Sequence, residues 1–230
     1  MASNAVPGFL PSRHGFRFAN RWPAGPARAW NLGLVQVGLG DVGRGLCGGM
    51  AYAARDRFGR DEAAPADVEP PASGSQLFSE IVDRQLASFG RLWTVPLRFW
   101  LAALGSERSR WRDTVRRAWP AIRAEIDAGQ PSMIGLVRSA TVNPLALDLG
   151  HQVVGYRYES SPATIAIGVY DPNHPGDDSV EIVIERTDAG GLQLAQSTGE
   201  PVLGLLHLPW REAGARLDAA SHQEEPASGA

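Results

Sequence analysis

The period of apolar positions changes once along this chain, close to Gly129. Ahead of it the apolar residues recur at helical spacing. Met50, Ala51, Ala54 and Phe58 mark a first helix from Cys47 to about Phe58. In "SQLFSEIVDRQLASF" the residues Leu77, Phe78, Ile81, Val82, Leu86 and Phe89 form one stripe behind a serine cap. "PLRFWLAALG" is a further helix stopped by Gly105, and "ERSRWRDTVRRAWPAIRAEIDAG" another, expected to kink at Pro120. At helical spacing Trp93, Leu97 and Trp100, with Leu101 and Leu104, read as core or cleft wall. Beyond Gly129 come short runs rich in β-branched and aromatic residues, split by turn signals such as "SSP" and "PNHPGDD". These are "SMIGLVRSA", "HQVVGYRYES", "ATIAIGVYD" and "SVEIVIERT", with "GLQLAQS" and "VLGLLHLPW" as two more candidates.

The pattern predicts an α+β fold: a helical part over 47–129 and an antiparallel sheet over 131–210. Residues 1–44 are rich in Gly and Pro and read as irregular, with 1–15 as an arm and 16–210 as one domain. The polar stretch 211–230 reads as a disordered tail.

Composition narrows the function classes. The 230 residues carry a net charge of -3, which argues against nucleic acid or anionic membranes as partners. All 22 basic residues are arginine, a compositional bias rather than a functional signal. A single cysteine excludes an internal disulfide framework and a cysteine-rich zinc site. No apolar run approaches the ~20 residues of a membrane span. No cofactor or metal motif stands out. "GDVGRG" lacks the flanking strand and the Lys-Ser/Thr of a phosphate loop, and Asp177 and Asp178 fit a solvated turn. The N-terminus has no apolar core behind a basic segment, so the expected location is cytoplasmic, or outside by a route without a conventional signal peptide.

The one thiol, Cys47, opens a helix in "GLCGGMAYAARDRF". The partial positive charge of a helix start favours thiolate over thiol. Gly48 and Gly49 weaken the helix, by roughly 1 kcal/mol each relative to Ala. They suggest that a substrate carbonyl approaches closely there. A small buried hydrophobe at a turn is the plain alternative for a free cysteine.

A thiolate enzyme also needs a histidine to move the proton and a group to orient it. His14 lies in the N-terminal arm, His222 in the tail and His207 in an apolar strand. His151 opens a strand directly after Gly150. The next strand ends at Asp171. If the two pair as a hairpin about "SSP", the end of the second returns beside the start of the first, bringing His151 and Asp171 together. Across the cleft, the helix face of Met50, Ala51 and Ala54 is expected against Val153, Ile165 and Ile167.

"GLCGGM" at a helix start, then "GHQVVGYRY", then "IAIGVYDPNHP" resembles the papain-like cysteine peptidase superfamily, in particular its bacterial C39-like branch. The resemblance spans roughly residues 16–184 and is specific at those three motifs. It implies a papain-like fold with Cys47 as nucleophile, His151 as general base and acid, and Asp171 as the orienting residue, Asn173 being the alternative. Such enzymes place a Gln a few residues before the cysteine to bind the oxyanion. Here Gln36 lies 11 residues upstream. Asn20 is therefore the first candidate amide and Gln36 the second.

Three classes follow: a hydrolase of peptide or amide bonds, an acyltransferase of the transglutaminase kind with the same order, and a catalytically inactive binding protein on the same scaffold. The expected partner is a peptide or protein substrate.

Overall fold

A computed structural model describes residues 1–32, 35–41, 45–90, 94–140, 150–187 and 191–210, the side chains of 26–32 and 35–41 excepted. The fold is α+β. Helices α2 (Cys47–Gly59), α3 (Gln76–Ser88), α4 (Thr94–Leu104), α5 (Glu107–Asp113) and α6 (Trp119–Asp127) precede most of the sheet. Its strands are β4 (Ser132–Val137), β5 (Gly150–Ser160), β6 (Thr164–Tyr170), β7 (Glu181–Arg186), β8 (Leu192–Gln196) and β9 (Gly204–His207). They lie in the order β8-β7-β6-β5-β4-β9, every neighbouring pair antiparallel.

The described part of residues 1–44 is more ordered than its Gly and Pro content suggests. The strand β1 (Ala2–Ala5) pairs with β5, a short helix α1 (Pro11–His14) follows, and β2 (Pro26–Leu32) and β3 (Val35–Asp41) form a separate hairpin. Val6 and Phe9 are buried, and the Tyr170 hydroxyl accepts from the Phe16 amide at 3.1 Å. The arm is thus held by sheet pairing and apolar burial that depend on β5 and β6. A reading of local periodicity cannot see such partners.

Local chemistry fixes the start of α3 as expected, and a second serine cap, not read in the sequence, starts α5. The hydroxyls of Ser75 and Ser106 accept from the amides of Phe78 and Ser109, both at 3.2 Å. Pro120 does not break its helix. It sits in the first turn of α6, and the missing N–H is absorbed upstream by a π-helical segment, Thr114–Ala118, whose wider turn resets the register. Leu97, Leu101 and Leu104 are exposed, which corrects their reading as core, while Leu101 lines the wall of a surface cavity; α4 instead buries Val95, Phe99 and Ala103. Trp100 is half-buried, and Trp93 lies outside the described residues, as does the tail from 211.

All six residues of β4 and residues 151–156 of β5 are buried, so the centre of the sheet is covered on both faces. The α2 helix packs against β5 and against α3. Met50, Ala51 and Ala54 are fully buried, as are Val153 and Ile167, whereas Ile165 is only half-buried. A Cβ at Gly135 would lie 2.5 Å from the Phe99 ring, and one at Gly150 would overlap the same ring. The glycine before His151 therefore lets α4 settle on the sheet.

Candidate active site

Cys47 is the first residue of α2, and its approach is tightly specified. Gly45 adopts φ +89°, a region open mainly to glycine, and a Cβ there would sit 2.6 Å from Asn20 Nδ2. The Asn20 carbonyl oxygen accepts from the Leu46 amide at 2.6 Å and from Trp22 Nε1 at 3.1 Å. Met50 donates its amide to the Leu46 carbonyl at 2.9 Å, closing the first turn. The Gly49 amide donates to Gln85 Oε1 on α3 at 2.8 Å.

The two glycines after Cys47 face inward, and this corrects their reading as an opening for substrate. A Cβ on Gly48 would lie 2.5 Å from Ser88 Oγ and 2.8 Å from Gln152 Nε2; one on Gly49 would overlap the Ile81 carbonyl oxygen. Their absent side chains admit α3 and β5 to the helix that Cys47 opens. What they set is where Cys47 sits.

The hairpin register brings the other two candidates together. Val154 pairs with Tyr170 across β5 and β6, so His151 and Asp171 fall at the same end of the two strands. His151 Nε2 lies 2.6 Å from Asp171 Oδ1. An ionised carboxylate only accepts, so Nε2 carries the proton and Nδ1 is the nitrogen left for the thiol. Asp171 is fully buried; its Oδ1 also accepts from the Asn173 amide and its Oδ2 from Gln196 Nε2, both at 2.8 Å.

The charges follow from this geometry. Burial raises the Asp171 carboxyl, but His151 and the hydrogen bonds outweigh it and hold the group at about 2. For His151, burial favours the neutral ring, yet Asp171 and Cys47 retain its proton and push it up to about 10. Burial likewise raises the Cys47 thiol, while the charge and hydrogen bond of His151, with the Gln152 backbone, bring it below its ordinary value. These directions favour a thiolate beside an imidazolium backed by a carboxylate.

This cluster opens on a cavity of about 450 Å³ lined by Asn20, Trp22, Cys47, Arg138, His151 and Glu200, among others. Asn20, the first oxyanion candidate, is thus in the cleft with its Nδ2 beside Gly45. Gln36 lies on β3 opposite Asn31, and its side chain is outside the described residues. Asn173 does not stand behind His151. Its side-chain oxygen accepts from Asn20 Nδ2 at 3.3 Å, so it ties the oxyanion candidate to the Asp171 turn. Asp178 is also more than a solvated turn residue, since it accepts from the amide and hydroxyl of Ser12 at 2.8 and 2.7 Å.

Sequence reasoning missed Gln196, Arg138 and Gln85. Arg138 Nη2 donates to Gln196 Oε1 at 2.8 Å, and Gln196 in turn holds Asp171. The available signal for Arg138 was a charge directly following the apolar run Met133–Val137. Gln196 and Gln85 carry no local mark. The remaining histidines are engaged elsewhere: His14 with the Leu10 amide and the Phe9 ring, His207 with Glu125 at 3.1 Å, His174 with Glu200 at 2.7 Å. His222 lies outside the described residues, as do residues 42–44 of "GDVGRG". No helix among the described residues is long and apolar enough to cross a membrane. Comparison with known proteins finds no matching family model, no matching curated protein and no matching solved structure.

Proposed function

We propose that this protein is a papain-like thiol hydrolase that cleaves a peptide or amide bond through an acyl-thioester on Cys47. One observation carries the reading: His151 stands between the half-buried thiol and a buried carboxylate, 2.6 Å from the latter, at the floor of an open cavity.

In this mechanism the Cys47 thiolate attacks the substrate carbonyl and a C–S bond forms. The oxyanion accepts from the Cys47 backbone N–H and from Asn20 Nδ2. As the tetrahedral intermediate collapses, the C–N bond breaks and the imidazolium of His151 gives its proton to the leaving amine. A water then attacks the thioester with His151 taking its proton. The C–S bond breaks, an acid leaves, and the proton returns the site to its resting pair. Asp171 holds the ring in one orientation throughout. The motif resemblance at Cys47, His151 and Asp171 supports the same assignment.

Alkylation of the full chain by iodoacetamide tests the nucleophile. The native protein is expected to react much faster at neutral pH than the unfolded chain, and His151→Ala to remove the difference. Equal rates for native and unfolded protein would overturn the reading. Incubation with a peptide mixture and hydroxylamine tests the chemistry, because an acyl-enzyme yields hydroxamates in place of acids. Reactivity of Cys47 toward iodoacetamide with neither product would favour the inactive binding protein, and transfer to amines without hydrolysis the acyltransferase.

A further inference from the structure

Resting on the reading of Cys47 as a nucleophile, we propose that Arg138 forms a carboxylate subsite in the same cleft, and that the substrate carries a carboxylate close to the bond it presents to the thiol.

Arg138 directly follows β4 and lines the cavity together with Cys47 and His151. Its side chain is only 13% exposed. A guanidinium has five N–H donors in a planar fork suited to a carboxylate. Among the described residues, Nη2 donates to Gln196 at 2.8 Å and Nη1 makes a long contact of 3.4 Å with the Pro201 carbonyl. Donors therefore remain for a ligand in the cavity.

A role confined to neutralising Asp171 fits poorly. The nearest approach, 3.7 Å, is beyond hydrogen-bond range, while Asp171 is already satisfied by His151, the Asn173 amide and Gln196. Glu200, another carboxylate of the cavity wall, is held by His174 at 2.7 Å and by the Thr198 hydroxyl. Arg138 offsets part of the negative charge of Asp171, Glu200 and Cys47 but, among the described residues, donates a hydrogen bond to none of them, and the exposed Arg21 adds a second guanidinium on the same cavity. A substrate carboxylate would take the donors left over. It would also replace the water that burial has stripped from this guanidinium, a loss that pulls its proton affinity down.

Iodoacetate and iodoacetamide test this without a known substrate. Both alkylate a thiolate and expel iodide, and they differ in carboxylate against carboxamide. The readout is the ratio of their rates on the full chain at pH 7, divided by the same ratio for glutathione. Taken within each variant, the ratio cancels any change in thiolate content. The wild type is expected to favour iodoacetate by about 10-fold. Arg138→Gln should lose most of that preference and Arg138→Lys should keep part of it. A wild-type ratio equal to that of glutathione, or one unaltered in a folded Arg138→Gln, overturns the subsite. Slow reaction with both reagents instead overturns the nucleophile assignment.

Protection against iodoacetamide then separates the two sources of a carboxylate. Peptides with free ends but no acidic side chain should protect if the ligand is a chain terminus. Amidated peptides with an internal Glu, but not Gln, should protect if it is a side chain. Protection by neither, or equally by amidated Gln peptides, counts against the subsite.

Discussion

The two ends of α2 carry two polar centres of opposite character. At its start Cys47 meets His151 and Asp171 beside an open cavity. Two turns on, Asp56 meets Arg84 through contacts of 2.7 and 3.0 Å, and Trp210 Nε1 donates to the same carboxylate at 2.9 Å. Arg55 stacks on Trp210, 4.3 Å from its ring centroid, and the Tyr52 hydroxyl donates to the Pro209 carbonyl at 2.8 Å. Both centres pair buried charges, and they do so for different ends. Both Asp56 oxygens are occupied by fixed partners, and the contacts tie α2 to α3 and to the chain after β9. In the first centre the thiol meets one imidazole nitrogen and the Gln152 backbone at the wall of a cavity. A closed pair staples a fold, whereas a pair left open toward a cavity can react.

Breaking the staple should have the largest effect. Asp56→Ala leaves Arg84 buried without its carboxylate, which typically costs about 3–5 kcal/mol. Chemical denaturation should show that loss, while the folded fraction keeps the iodoacetamide reactivity of the wild type. A reactivity loss in step with stability would mean that the two centres are one unit.

His151→Ala should spare stability by comparison and slow alkylation at pH 7 by about 100-fold, or about 3 kcal/mol in the barrier. The thiol then returns toward its ordinary range, where only a few per cent is thiolate. Gly49→Ala tests how the helix is seated. Its Cβ overlaps the Ile81 carbonyl, so overpacking should cost about 1–3 kcal/mol. The displaced thiol should react about 10-fold more slowly. Full stability together with full reactivity would show that α2 does not need its close approach to α3.

Asp171→Asn should have a smaller effect at neutral pH and a clear one in the pH profile. The folded His151 stands at about 10 instead of 6.5, so its contribution to stability is full below 6.5 and lost as pH rises through about 10. The folded Asp171 stands at about 2 instead of 3.8, so its contribution is present above 3.8 and lost as pH falls toward 2. Without the carboxylate, the alkaline limb of the alkylation profile should move to lower pH, and the stability lost relative to wild type should vanish below about 2. An unmoved alkaline limb would show that Asp171 does not hold the imidazole proton. The smallest effect is expected for Gln85→Ala, which removes the acceptor of the Gly49 amide and should cost about 1 kcal/mol in a denaturant titration.

Much of this was written locally. The serine cap of α3, the alternation of β5 and β6, and the turn between them could be read in the chain. With those fixed, the pairing of His151 with Asp171 followed, because a hairpin's register needs no information from elsewhere. The single thiol at a helix start was equally plain. Other features depended on partners distant in sequence. Gly48 and Gly49 read as an entrance for substrate until Ser88, Gln152 and the Ile81 carbonyl appeared against them. Asn173 read as a second orienting group until its side chain turned to Asn20. Leu97, Leu101 and Leu104 gave a convincing stripe on the face that α4 leaves outward.

The sequence by itself determined most elements from Cys47 onward, the hairpin and the identities of the thiol, imidazole and carboxylate, since each is encoded within a turn or a pair of neighbouring strands. Only the tertiary structure decided that α2 lies against α3 and β5 at distances set by two glycines, that Gln196 holds Asp171 and is itself held by Arg138, and that Arg138 lines the cavity. Those outcomes depend on how helices and sheet meet in space. Burial and hydrogen-bond satisfaction between distant segments leave no periodic trace in the chain.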